Sequence, residues 1–300
     1  MFWKKKNKDQ NAGTKEGSGV ITDVRVVIKT DLGNVRTNNE DSASFFRVSD
    51  EVMVRERGFL LLVADGMGGH LAGEVASKMA VDIISEEYYK PSNDKIENLL
   101  SKAFNTANKK IFAMSSSNEK YKGMGTTCTA LVIAGKSVYY AHAGDSRAYM
   151  YATNFFTRIT EDHTYVQELV KNGSITAAEA DTHPQRNILT NAMGTKPELR
   201  VDTGKCLQEF HTGNRLMICS DGLYDYLPDT EIGEIMGHPS IQDAVDKFIY
   251  LAKERGGMDN ITVVLAEAGV INNNDLKSTR EVALPKITRD ADLPENITNI

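Results

Sequence analysis

The sequence predicts an α+β layered sandwich, in which many short, largely antiparallel strands carry pairs of helices on their faces. Three observations predict it. Apolar runs of strand length recur along the chain and are bounded by turn residues. Gly135-Lys136 and Ala152-Thr153-Asn154 are short enough to close hairpins. Helical periodicity comes in two consecutive pairs instead of alternating with the strands.

Taken in order, the first strands are expected at Val24–Lys29, Ala43–Val48 and Phe59–Ala64. Two helices follow. The first turns Val75, Ala76, Met79, Ala80, Ile83 and Ile84 inward at i, i+3, i+4 spacing. The second buries Ile96, Leu99, Leu100, Ala103, Phe104, Ala107 and Ile111, with Ser92, Asn93 or Asp94 as candidate caps. Strands at Thr126–Ala134, Ser137–Ala143, Arg147–Tyr151 and Phe155–Ile159 come next. The stretch Thr160–Thr195 then interrupts the pattern. It holds two short helical pieces, and Thr176-Ala177-Ala178-Glu179 has the form of a capping box. Its length suits a substrate-contacting flap, with Asp162, His163, Glu168 and Lys171 expected to be exposed on it. Strands at Val201–Cys206 and Leu216–Ser220 precede a second helix pair, Asp229–Met236 and Ser240–Glu254, and Ile261–Glu267 is the last strand. Residues 1–20 and 271–300 lack periodicity and read as disordered tails, which leaves 21–270 as one domain.

Composition excludes several classes. With 41% hydrophobic and 25% charged residues among 300, the chain is an ordinary globular one. A net charge of −6 argues against nucleic acid as the main ligand. No apolar stretch approaches the length of a membrane span. Cys128, Cys206 and Cys219 are far apart, lack zinc spacing, and suit reduced thiols in a cytoplasmic protein.

Four aspartates carry the chemistry. Asp65, Asp145 and Asp221 each end an apolar strand-like run, and Asp259 stands just before one. Neighbouring antiparallel strands bring such ends to one edge. An Asp-Gly after a strand is by default a turn, but Asp65-Gly66-Met67-Gly68-Gly69-His70 has more glycine than a turn needs, as if the backbone passed close to something. Two unit charges about 4 Å apart repel by roughly 4 kcal/mol at an effective dielectric of 20. Such a cluster persists only if partly protonated or neutralised by metal. All-oxygen ligands select Mg²⁺ or Mn²⁺.

The series Arg36-Thr37-Asn38-Asn39-Glu40-Asp41, Asp65-Gly66-Met67-Gly68-Gly69-His70, Gly125-Thr126-Thr127, Gly144-Asp145-Ser146-Arg147-Ala148-Tyr149, Ser220-Asp221-Gly222-Leu223 and Asp259-Asn260-Ile261-Thr262-Val263-Val264 resembles the metal-dependent protein phosphatases of type 2C, above all their bacterial branch. The match runs from about residue 24 to 267 with the motifs in family order. The resemblance implies an α-β-β-α sandwich with a metal centre at one edge. It implies hydrolysis of phosphoserine and phosphothreonine in proteins by a metal-activated water, with two tightly bound Mn²⁺ or Mg²⁺ ions and a weaker third.

By matching motif, Asp65 would bridge two ions and the Gly66 carbonyl would ligate one of them. Asp221 and Asp259 would complete the other, Glu40 would act through water, and Asp41 would assist. Asp145 with Asp221 would bind the third ion, and Arg36 would grip the substrate phosphate. Met67 stands where many eukaryotic members carry a histidine taken as general acid. That leaves His70, a carboxylic acid such as Asp41, or a water at the metal centre as proton donor. The expected partners are phosphoproteins, among them a serine/threonine kinase and its substrates, and the expected state is a monomer. An aspartate-nucleophile phosphatase would need an Asp-x-Asp pair, and Asp65-Gly66-Met67 lacks it.

Overall fold

The computed structural model describes residues 24–47, 51–68 and 72–269. His70 and both expected tails lie outside the described residues. Two antiparallel sheets form the centre. One has the order β1(Val24–Asp31), β11(Ile261–Ala268), β10(Arg215–Cys219), β7(Arg147–Ala152), β8(Phe155–Arg158). The other runs β2(Asp41–Phe46), β3(Phe59–Met67), β5(Cys128–Ala134), β6(Ser137–Ala143), β9(Asp202–Lys205), with β4(Gly125–Thr126) beside β3.

Strand alternation divides the apolar residues among three cores. In β3, Leu60, Leu62 and Ala64 face α2(Ala72–Tyr88) and α3(Ile96–Ser117), packing with Ala76, Ile84, Leu100 and Phe104. Phe59, Leu61 and Val63 point the other way, into the layer between the sheets, against Leu216, Ile218 and Val264. The far faces of β10 and β11, with Met217, Cys219, Val263 and Leu265, pack on α7(Asp229–Met236) and α8(Ile241–Glu254). Both faces of the central strands are therefore dry, which is why they read as continuous apolar runs instead of an alternation. The layers are helix, sheet, sheet, helix, as the sequence predicts.

Several boundaries move for reasons the pattern could not carry. β2 begins at Asp41 and β3 continues through Asp65 to Met67, because backbone pairing of Asp41 with Asp65 and of Gly66 with Thr126 carries the ladders past the last apolar residue. The expected strand Thr126–Ala134 is two strands, interrupted at Thr127. A short helix α1(Glu51–Arg57) was not anticipated, since its charged sequence has no apolar stripe. Nor was α6(Asp221–Tyr224), in a place that reads as a turn. None of Ser92, Asn93 and Asp94 caps α3, whose N-cap is Lys95; Ser92 and Asp94 bond each other instead.

The 160–195 insertion contains α4(Tyr165–Lys171) and α5(Ala177–Asp181), the latter with the expected capping box on Thr176 and Glu179. Contrary to expectation, Asp162 and His163 are buried at its root. Buried Asn108 on α3 fixes its far end, accepting from Gly194 N at 2.8 Å and donating to the carbonyls of Lys196 and Pro197 at 3.1 and 3.0 Å. Asn108→Ala would strand those groups, and a loss of roughly 2 kcal/mol in urea unfolding is expected. An unchanged unfolding midpoint would show that the clamp contributes nothing.

Candidate active site

The strand ends place the acids along one edge of the double sheet. Asp65 lies in β3 opposite Asp41 of β2. Asp145 occupies the link between β6 and β7, where the chain passes from one sheet to the other. Asp221 follows β10 and opens α6, and Asp259 precedes β11. The glycine after Asp65 now has a reason. A Cβ on Gly66 would stand 2.1 Å from the Gly73 carbonyl oxygen and 2.6 Å from that of Glu40, so only glycine lets these three backbone segments meet.

Asp65, Asp41, Asp259 and Glu40 are held by neighbours from the same motifs. The Asp65 amide donates to Thr127 Oγ1 at 3.0 Å, and its carbonyl accepts from Thr127 N and Thr126 Oγ1, both at 2.9 Å. That clamp is the work of the Gly125-Thr126-Thr127 motif. Ser220 Oγ donates to Asp41 Oδ2 at 2.8 Å and accepts from Thr262 N at 3.0 Å. Asn260 ties Asp259 to the first loop: its Oδ1 accepts from Glu40 N at 2.8 Å and its Nδ2 donates to Asn38 O at 3.0 Å. Arg36 Nη2 donates to Asp259 Oδ2 at 2.7 Å, and Arg36 Nη1 lies 4.0 Å from Glu40 Oε2.

The electrostatics are those of a crowded acidic site. Burial, then the charges of Asp41, Asp221, Asp145 and Asp259, push the Asp65 carboxyl well above the usual range. Burial, then Asp145, Asp225, Asp259 and Asp41, do the same to Asp221. Burial and Asp162 raise Asp145 to about 7 despite the opposing Arg147. Asp41 rises to about 6, chiefly through burial, although hydrogen bonds from Thr262 and Ser220 oppose it. Burial also raises Glu40, against Arg36. Around Arg36, burial works to lower the guanidinium pKa, and Asp259, Glu40 and Asp65 outweigh it.

Asp221 Oδ1 is buried and has no hydrogen-bond partner. An orphaned carboxylate oxygen among acids that raise one another's proton affinity fits a hard divalent cation. Among the described residues, no three His, Cys, Asp or Glu side chains close around one point. Ions of this class keep several waters, so the carboxylates need not close around each one.

Two features escaped the sequence reading. Asp225, one helical turn beyond Asp221, adds to the charge on Asp221 and Asp145 and is forked by Arg186 of the insertion at 2.8 and 2.9 Å. Asp162 leans on Asp145 while Arg147 grips it, Nη2 to Oδ2 at 2.7 Å, and the Arg147 guanidinium stacks 3.7 Å from the centre of the Tyr224 ring. The i, i+4 spacing of Asp221 and Asp225 was the available signal, and it required knowing that a helix starts there.

The chain is similar to known proteins in sequence and in fold. The family profile described as Protein phosphatase 2C matches residues 36–265. The chain is 39% identical over 244 residues to the serine/threonine phosphatase stp of Listeria monocytogenes serotype 4b (strain F2365), a match covering 80% of this chain and 94% of that protein. It resembles the crystal structure of the serine/threonine phosphatase Stp1 from Staphylococcus aureus with a TM-score of 0.74 at 36% identity, covering 84% of this chain and 97% of that one. The catalytic domain of the serine/threonine protein phosphatase PstP, solved in complex with two manganese ions, gives a TM-score of 0.69 at 35% identity, covering 82% and 99%.

A raised carboxyl pKa makes the folded state hold a proton that the unfolded chain has released. Stability from such a group is therefore lost as pH climbs from the unfolded value, about 4, through the folded one. Asp221→Asn removes one charge from the cluster. In metal-free buffer it should melt above the wild type at about pH 7.5, with the gain vanishing near about pH 4. A lower melting temperature for the variant at the higher pH would mean that the acids do not strain the metal-free fold.

Proposed function

The chain belongs to the protein phosphatase 2C family, and on that premise we propose how its acidic edge serves metal-dependent removal of phosphate from phosphoserine and phosphothreonine in proteins. It is a protein-serine/threonine phosphatase. The observation that carries the site reading is the partnerless Asp221 Oδ1 within the group of mutually repelling acids. In this reading Asp65 and the Gly66 carbonyl would hold one ion, Asp65, Asp221 and Asp259 would hold a second, and Glu40 would act through water. Asp41 assists from beside Asp65, with one of its oxygens already taken by Ser220. Asp145 and Asp221 would serve a weaker third ion. Mn²⁺ or Mg²⁺ fits the all-oxygen donors. When bound, the ions acidify a water to near neutrality and shield the phosphate charge.

The protein's own groups position and bind. Arg36 is only partly buried and already spends Nη2 on Asp259, so its other guanidinium edge is the one open to phosphate. That edge would offer a planar fork for two phosphate oxygens. The insertion reaches the site through Arg186 and Asp225, which supports a role in contacting the protein around the phosphate. Phosphoryl transfer rests mainly on positioning and charge neutralisation, and these residue types supply both.

The partners are phosphoproteins, with a serine/threonine kinase as the opposing activity. The free cysteines Cys128, Cys206 and Cys219 support a reducing, cytoplasmic setting, and no helix among the described residues is long and apolar enough to cross a membrane. Covering of the sheets by helices of the same chain supports a monomer.

Chelation should abolish hydrolysis of a phosphothreonine protein and Mn²⁺ should restore it; full turnover in metal-free buffer would end this reading. Arg36→Ala should raise KM and also lower kcat, because the transition-state charge loses a partner as well. Arg36→Lys should recover only part of the loss, having a point charge in place of the fork. Steady-state kinetics with an unchanged KM for Arg36→Ala would remove Arg36 from the phosphate site.

A further inference from the structure

Two buried histidines flank the link that carries Asp145, and neither belongs to the acidic cluster. The rings of His142 and His163 lie 4.7 Å apart. His163 holds the residue before Asp145 twice: its backbone N donates to Gly144 O at 2.7 Å, and its Nδ1 accepts from Gly144 N at 3.2 Å. On the other side, Thr129 Oγ1 bonds both His142 Nδ1 and the Ser146 carbonyl, each at 2.8 Å. Asp145 thus sits between two backbone units that are each tied to an imidazole layer.

The proton on His163 can be placed by its partners. Asn191 Oδ1 accepts from Arg200 N at 3.1 Å, so the Asn191 amide turns its NH₂ toward Arg200 O, at 2.9 Å, and toward His163 Nδ1, at 2.8 Å. Gly144 N and Asn191 Nδ2 are both donors, so Nδ1 is the acceptor and the proton resides on Nε2. There it is donated to Asp202 Oδ2 of β9 at 2.9 Å. The His163 carbonyl accepts from Thr190 N at 2.9 Å. One residue therefore joins three segments: the link bearing Asp145, the end of the insertion at Thr190 and Asn191, and β9. The link runs close against Thr127: Gly144 has φ +115° and a Cβ there would lie 2.5 Å from Thr127 Cβ, so no other residue fits.

We propose that His163, oriented by Asp202, is a positioning residue that fixes Gly144 and thereby aims Asp145, and that it ties this aim to the seating of the 160–195 insertion. The proposal deepens the site reading above and rests on Asp145 serving an ion. The arrangement has the logic of outer hydrogen bonds that orient a metal ligand, whose loss typically lowers affinity or activity about 10- to 100-fold. His163 does not touch the reacting atoms.

His163→Phe keeps a ring but loses the acceptor, whereas the Oδ1 of His163→Asn can occupy the Nδ1 position. The first readout is amide hydrogen exchange over Gly144–Arg147 in the metal-free protein, which involves no ion. The second is calorimetric titration with Mn²⁺, and the third is turnover of a nitrophenyl phosphate. His163→Phe should expose the Gly144 amide, weaken the Asp145-dependent Mn²⁺ event and cut kcat about tenfold, with KM changed less than about twofold. His163→Asn should restore most of each. If His163→Phe does not fold, Asp202→Ala should give the same pattern at smaller size, since Asp202 is half-exposed, its other partner is Arg200 at 3.4 Å, and it reaches Gly144 through the ring. Unchanged Gly144 exchange in His163→Phe, or Phe and Asn variants equally impaired, would overturn the proposal. Asp145→Ala separates it from the reading beneath: if Asp145→Ala takes up Mn²⁺ as the wild type does, the third-ion assignment falls. If Asp145→Ala loses that uptake and His163→Phe keeps it, only the positioning role falls.

Discussion

Repulsion between carboxylates that the fold forces together is the constraint on which the rest of this protein depends. Burial and then neighbouring acids raise the proton affinity of Asp65, Asp221 and Asp145, and Asp41 sits in register beside Asp65. Left to itself, such a group would spread or take up protons. It is held instead by backbone: strand pairing through Asp65, the Thr126 and Thr127 clamp on its peptide, and the Gly66 contact that admits no side chain. Preorganisation of this kind moves the cost of assembling charge from the reaction into folding.

Rigidity at that edge comes from the dry layers behind it. β3, β10 and β11 are packed on both faces, so a displacement of one strand end disturbs two cores at once. The motif polar residues then transmit this order to the side chains. Ser220 links Asp41 to β11 through Thr262, and Asn260 links Asp259 to the Glu40 segment. These are hydrogen bonds between strand ends of different sheets, which explains how an edge site spanning two sheets remains a single unit.

The insertion is more firmly rooted than its polar sequence suggests. Arg186 forks Asp225 beside the acids, His163 and Asp162 are buried under its first turn, and Asn108 fixes its far end. Only the span between these anchors, with α4 and α5, is left to respond to a protein substrate, and loops carried on fixed roots are where specificity is commonly placed.

Much of this was legible in the chain. Continuous apolar runs, hairpin turns and two paired amphipathic helices determined a layered α+β fold, because burial of both faces leaves that mark on local sequence. Acids at the ends of those runs, with the order of the motifs, also pointed to residues that the fold brings to one edge: Asp65, Asp145, Asp221, Asp259, Glu40 and Arg36. Tertiary structure alone decided the rest. It extended β3 through Asp65, since ladder partners far along the chain, and not hydrophobicity, set where a strand ends. It buried Asp162 and His163, whose polar neighbourhood reads as surface, because Arg147 and Asp202 meet them only after folding. It also brought Asp225 and Arg186 together across 39 positions. Local pattern records what each segment must bury, while the pairing of charges depends on which segments become neighbours, and that is settled only when the sheets close on one another.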